Sequence, residues 1–258
     1  SGYNKFVKWV RKNSCDMEES AWLFCGENTG DYSKPLCNYL YGRGYDVWLE
    51  NAKCIKDASG LRRLKSDKAD SAMIAEYAMR NYDRAELYIP LNESLSQLRE
   101  LFLFRQMLVR QKHGFQVRRG EKNRAMEKSS VKTAISQIGR HMVNECNKQI
   151  EKVERRIKDI IDGDEELKRT YELITTIPGI GTQNAVCLLT FTNNFTRFGY
   201  NARKIACYYG IAPFGRDSGT SVHSDPHVHY MANRMLKSML TQAALASIRC
   251  CAPIAHYY

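Results

Sequence analysis

Two aspartates stand three residues apart in the stretch "SDKADSAMIAEYAMRNY": Asp67 and Asp70. On a helix, residues three and four apart are surface neighbours, so Asp67, Asp70, Ile74 and Tyr77 make one stripe. Two readings of the pair stay open. Ser66 or Asp67 can cap a helix N-terminus, where first-turn acids suit the macrodipole. Alternatively, the carboxylates edge a buried face because they are hard oxygen donors, a role that needs more carboxylates brought from other elements. Glu27, which follows the apolar run "AWLFC" at once, is one such donor.

A second group offers phosphate chemistry. In "TTIPGIGTQNA" one helix ends, Pro178-Gly179-Ile180-Gly181 turns tightly, and a new helix starts at Thr182. Gly179 and Gly181 allow close approach of backbone to a ligand, and the free N–H groups of the new helix suit a phosphate. The turn resembles the hairpin of helix-hairpin-helix modules, which grip nucleic-acid backbone without reading sequence; an ordinary helix–helix turn is the plainer reading. Further on, "FGRDSGTSVHSDPHVHYMANRMLK" reads as a loop leading into a helix. It holds Ser218, Ser221 and Ser224, with Arg216, His223, His227 and His229 nearby and Arg234 and Lys237 on the helix. A serine beside Gly219, among cations that can hold phosphate, could attack phosphorus if its hydroxyl is activated. "DSGTS" also reads as a polar loop. The His-x-x-x-His-x-His spacing has no cysteine or carboxylate set to complete a zinc site.

These residues need elements to hold them. Residues 1–90 read as α/β: a helix over "NKFVKWVRKN", a strand over "AWLFC", a helix over "KPLCNYLYGRG", a strand over "YDVWLE", then the aspartate-bearing helix. That alternation predicts a parallel strand pair with a right-handed crossover. Residues 91–166 read as two long helices, with Leu95, Leu98, Phe102, Met107 and Leu108 on one and Ile135 to Ile160 striping the other. The charged "HGFQVRRGEKNRAMEKSS" joins them in a helical hairpin or coiled coil. Residues 167–258 read as helical around the Pro-Gly turn.

Charge narrows the partners. The 258 residues carry 39 Lys+Arg against 28 Asp+Glu, a net charge of +11, which favours polyanions and nucleic acid first. From Arg99 to Lys132, ten basic residues face three glutamates, a local charge of +7. A solvated helix face and a phosphate-contacting one, through Arg118, Arg119, Lys122 and Arg124, are both open there. The nine cysteines form no C-x-x-C pair. With no signal-peptide pattern or long apolar run, they predict a reduced, soluble, cytoplasmic protein away from membranes.

Taken in order, "GENTG", "SDKADSAMIA", "TTIPGIG" and "YYGIAPFGRDSGTS" resemble the DEDD-type insertion-sequence transposases, the Piv-like recombinases guided by a bridge RNA. The resemblance runs over essentially the whole chain. It implies an RNase H-like domain whose four carboxylates bind Mg²⁺, a coiled-coil segment, and a transposase domain with a nucleophilic serine. By motif, Glu27 matches the glutamate, Asp67 and Asp70 the last two aspartates, and Ser218 the serine of the "SG" motif, with Ser221 as the alternative. The implied partners are DNA, a structured guide RNA and further copies of the chain through the coiled coil, in a bacterial nucleoid. The implied fold class is α/β plus α: an RNase H-like domain over 1–90 without its first strand, a basic coiled-coil region over 91–166, and a helical domain with the hairpin motif over 167–258.

Two departures qualify the expectation. Nothing supplies the family's first aspartate, since Asp16 in "NSCDMEES" lacks strand flanks, and the chain opens "SGYNK" without methionine. A truncated fragment that binds nucleic acid but cuts little is therefore expected. The loop after the serine is also less glycine-rich and basic than the resemblance implies. A non-catalytic nucleic-acid-binding protein and a metal-dependent junction nuclease are the rival readings.

Overall fold

The computed structural model describes residues 2–14, 17–60, 66–124, 130–218, 222–228 and 232–257; the side chains of 119–124, 216–218 and 222–224 are not among the described features. It divides into two units, Ser1–Pro90 and Leu91–Tyr258. Most of the chain is helical, with two small sheets.

In the first unit, α1 (Gly2–Asn13) precedes a parallel pair, β1 (Leu23–Glu27) and β2 (Asp46–Glu50), joined through α2 (Lys34–Tyr41). The side-chain alternation of strands gives this pair two working faces. On one face, Val47 packs with Val7 of α1 and with Cys37 and Leu40 of α2, flanked by Phe24, Tyr45 and Leu49. The other face is met by α4 (Asp67–Arg80), where the Trp48 and Tyr77 rings lie 5.5 Å apart. Helices on both faces of a parallel pair are the arrangement the strand–helix alternation calls for.

One helix was not expected. The stretch between β2 and α4, read from sequence as a polar loop, holds α3 (Ala52–Ala58), started by Asn51, whose side chain accepts from the Lys53 N–H. Its single buried residue, Ile55, left too little apolar period to read.

In the second unit, two 30-residue-class helices pack together: α5 (Glu93–Arg124) and α6 (Ser130–Asp162). Here a sequence reading needs correction. The segment from His113 to Arg124, read as part of the connection, belongs to α5. Gly114 sits in open space, where its lack of a side chain costs the helix only about 1 kcal/mol. Leu95, Leu98, Phe102 and Leu108 of α5 meet Ile150, Val153, Ile157 and Ile161 of α6. This apolar layer continues into α7 (Glu165–Thr175), α8 (Thr182–Thr192), α9 (Ala202–Tyr209) and α10 (Arg234–Cys250) through Leu167, Ile174, Leu189, Tyr209 and Leu236. α11 (Ala252–Tyr257) follows.

The serine-bearing loop is also corrected. Residues on either side of the turn form an antiparallel pair, β3 (Phe214–Ser218) and β4 (Val222–His227). Two five- to six-residue runs separated by a Gly-containing turn suit a hairpin, and the polar composition hid the strands.

Candidate functional site

The carboxylates of the first unit are placed by β1, β2 and α4. Ser66 settles the local question at Asp67: it is the N-cap, its hydroxyl accepting from the Ala69 N–H at 3.2 Å. Asp67 and Asp70 then occupy the first turn, where the helix dipole favours them. Asp67 is exposed, whereas Asp70, Ile74 and Tyr77 are half-buried along the expected stripe. Glu27 ends β1 and is half-buried.

A carboxylate absent from the sequence reading stands opposite it. Glu50 ends β2 in direct register with Glu27. Its side chain accepts from the Tyr77 hydroxyl at 3.2 Å and from the Asn51 N–H at 2.6 Å. "YDVWLE" ends in glutamate as "LFCGE" does, and aligning the two as parallel strands would have paired them. Burial, with Glu50's negative charge behind it, pushes the Cys25 thiol up to about 11 and raises the Tyr77 phenol as well. Both therefore stay neutral near pH 7, which removes Cys25 as a nucleophile.

Do these carboxylates fit a metal? Asp70 is seven residues from Tyr77, about 10 Å along the helix axis, so the bond to Glu50 holds a different part of α4 from the one carrying the aspartates. Among the described residues no three His, Cys, Asp or Glu side chains converge on a possible ion site. Glu27, Asp67 and Asp70 have the right chemistry for Mg²⁺ but do not form a ligand set as they stand. His227 is likewise in no such group, and His229 lies outside the described residues.

The Pro-Gly turn is built from the second unit's core. Gly179 has φ +85°, and its missing Cβ is used by α10. An added Cβ would overlap Ser247 Oγ and lie 2.5 Å from the Ala243 carbonyl oxygen. The Ser247 hydroxyl donates to the Pro178 carbonyl at 2.5 Å, lashing turn to helix. Gly181 differs: it is exposed, has open space where a Cβ would be, and caps α8 with no side-chain hydrogen bond. The first backbone bond into α8 runs from Ala185 N–H to Gly181 carbonyl. The N–H groups of the preceding turn thus remain available to a ligand. Thr182 is exposed, its hydroxyl 2.9 Å from the Tyr171 hydroxyl.

The remaining sequence-derived positions lie on the hairpin, α10 and α5. Ser218 ends β3 across from Val222, and Arg216 pairs with Ser224; their side chains and Ser221 lie outside what is described. Arg234 and Lys237 are both exposed in the first turn of α10. Cations there oppose the helix dipole, an arrangement that an anionic ligand would relieve. Arg118 is exposed on α5; Arg119, Lys122 and Arg124 lie on the same helix, with side chains outside the described features. Among the described residues no helix is long and apolar enough to cross a membrane.

Comparison with known proteins converges on one group. Residues 171–258 match the family model described as "Transposase IS116/IS110/IS902 family", and residues 1–119 match a model described as "Transposase", of the DEDD IS110 type. The chain is 25% identical over 247 residues to the "Pilin gene-inverting protein" of Moraxella bovis and, separately, to that of Moraxella lacunata. Each alignment covers 95% of this chain and 72% of the relative. A 74-residue stretch is 36% identical to the "Insertion element IS110 uncharacterized 43.6 kDa protein" of Streptomyces coelicolor, covering 29% of this chain and 18% of that one.

Proposed function

We propose that this chain, a DEDD transposase of the IS110/IS116 type, cuts and rejoins DNA strands with Ser218 as the nucleophile. The observation that carries the reading is the pair of transposase matches at the two ends of one chain. The relatives named for gene inversion, aligned over 95% of it, favour a reaction that both breaks and reseals strands.

In the proposed step the Ser218 hydroxyl oxygen attacks a backbone phosphorus. A P–O bond to the sugar breaks, the hydroxyl proton goes through solvent to the departing sugar oxygen, and the strand stays on the protein as a phosphoserine ester. Attack by another strand's hydroxyl reverses the chemistry, reseals the backbone and returns the proton to the serine. The ester keeps the bond energy in the meantime. Ser221 is the alternative nucleophile. Arg216, Arg234 and Lys237 supply charge for the phosphate, and Gly181 with Thr182 at the start of α8 supplies backbone N–H groups in the manner of a helix-hairpin-helix grip.

Glu27, Asp67 and Asp70 are hard donors of the kind Mg²⁺ takes, and an incomplete set of them supports weak binding. No step here passes through the ion. A structured guide RNA along the basic end of α5, at Arg118, Arg119, Lys122 and Arg124, and self-association through α5 and α6 as a coiled coil complete the reading, within a bacterial cytoplasm. The separation of the carboxylates favours one rival, a nucleic-acid-binding protein that does not cut.

Sequencing of DNA junctions separates the two readings. Cells carrying the protein and the DNA that flanks its gene should accumulate rearranged junctions. Ser218→Ala should reduce them by about a thousandfold or more while DNA binding stays within a few-fold, because backbone contacts and chemistry are separable. Junctions equally frequent with Ser218→Ala and lost with Ser221→Ala would move the nucleophile; junctions absent throughout, with binding intact, would favour the non-cutting binder.

A further inference from the structure

Beside the Pro-Gly turn, α6, α7 and α8 enclose a hollow of about 420 Å³ that none of the chemistry above uses. Its wall includes Lys158 and Ile161 from α6, Tyr171 from α7, and Thr182, Gln183 and Asn184 from the first turn of α8. We propose that it holds one unstacked guanine nucleotide of a single strand whose backbone crosses the turn. The inference rests on the nucleic-acid reading above and adds a base-reading site to it.

Two features of the wall call for two different kinds of partner. Gln183 Oε1 and Asn184 Oδ1 are shut off from solvent without a hydrogen-bond partner among the described residues. Buried acceptors left unpaired are costly, so they point to a ligand that brings N–H donors. The charges around them point to an anion. Glu154 is ion-paired with Arg105 at 2.7 Å and Asp162 with Lys168 at 3.7 Å, which offsets both carboxylates. Lys158, exposed on α6, and the uncapped start of α8 then set the local field. A lysine or arginine side chain from a partner protein would supply donors but would be repelled by that field. A free phosphate would suit the field and leave the amides unpaired. A nucleotide meets both needs, with an anionic phosphate for Lys158 and the α8 N–H groups and neutral donors on its base. Guanine fits best, because its N1–H and exocyclic amine put adjacent donors on one edge. Ile161 and the Tyr171 ring give the base apolar surface.

The test is fluorescence anisotropy of the whole chain with short single strands: oligothymidine, and the same strand with one guanine at its centre. Ribose and deoxyribose versions of each tell whether the strand is RNA or DNA. The guanine strand should bind about tenfold tighter, the scale of one two-bond base contact. Gln183→Ala should abolish that preference and leave oligothymidine affinity within about twofold, while Lys158→Gln should weaken both strands alike. Lys158 is exposed, so its variant reports even if Gln183→Ala unfolds, which circular dichroism would reveal. Equal affinity for both strands in the unaltered chain, or displacement of the strand by an oligolysine that binds the amides, would overturn the pocket. Duplex binding retained in either case would leave the transposase reading standing; failure to bind any nucleic acid would sink that reading as well.

Discussion

Gly179 and Gly181 look alike in "PGIG" and do different work. The sequence supports close backbone approach at both, but only the packed structure tells what approaches. At Gly179 it is α10, through Ser247 and the Ala243 carbonyl, and φ is +85°. At Gly181 it is open space. Gly179→Ala should therefore cost about 3 kcal/mol in chemical denaturation, from overlap plus left-handed strain. Gly181→Ala should cost about 1 kcal/mol or less and show its effect in nucleic-acid affinity. The reverse order would contradict the assignment. The same limit governs the carboxylates. The stripe Asp70, Ile74, Tyr77 was legible because helical period alone fixes it. Glu50 was not, because its importance comes from strand register with Glu27 and a hydrogen bond to Tyr77, both of them long-range.

At the scale of elements, α1 is tied to the strand pair by a charged knot. Arg11 binds the Glu19 carboxylate with both its Nε and, at 2.8 Å, its terminal nitrogen, while the Tyr45 hydroxyl donates to Glu19 at 2.6 Å. The Arg11 and Tyr45 hydrogen bonds hold the Glu19 carboxyl down to about 2. A depressed acid contributes stability above its unfolded pKa, about 4.3, and loses it as pH falls through the folded value. Melting followed by circular dichroism should show the unaltered chain losing stability between about pH 4.3 and pH 2, with a shallower loss in Glu19→Gln. An identical pH profile for both would refute the linkage. Because Glu19 is exposed, the effect should be small and shrink in salt. Helices and strands of strong period were readable; α3, with one buried residue, and the polar hairpin of β3 and β4 were not, since tertiary pairing rather than local pattern forms them.

Over the whole molecule, two units carry the two chemistries: carboxylates and their strand pair in Ser1–Pro90, the turn, the hairpin serine and the basic helices in Leu91–Tyr258. Four short motifs in order pointed to the family, while the convergence of carboxylates that the family implies was not read correctly from spacing, because it depends on where α4 lies along the strands. The account stands or falls on the serine ester. Incubation with DNA from the flanks of the gene, followed by denaturation, nuclease trimming and peptide mass mapping, should find a nucleotide joined to the peptide bearing Ser218. The adduct should vanish in Ser218→Ala and persist in Cys25→Ala. Rearranged DNA formed with no adduct on Ser218 or Ser221 would contradict the central claim.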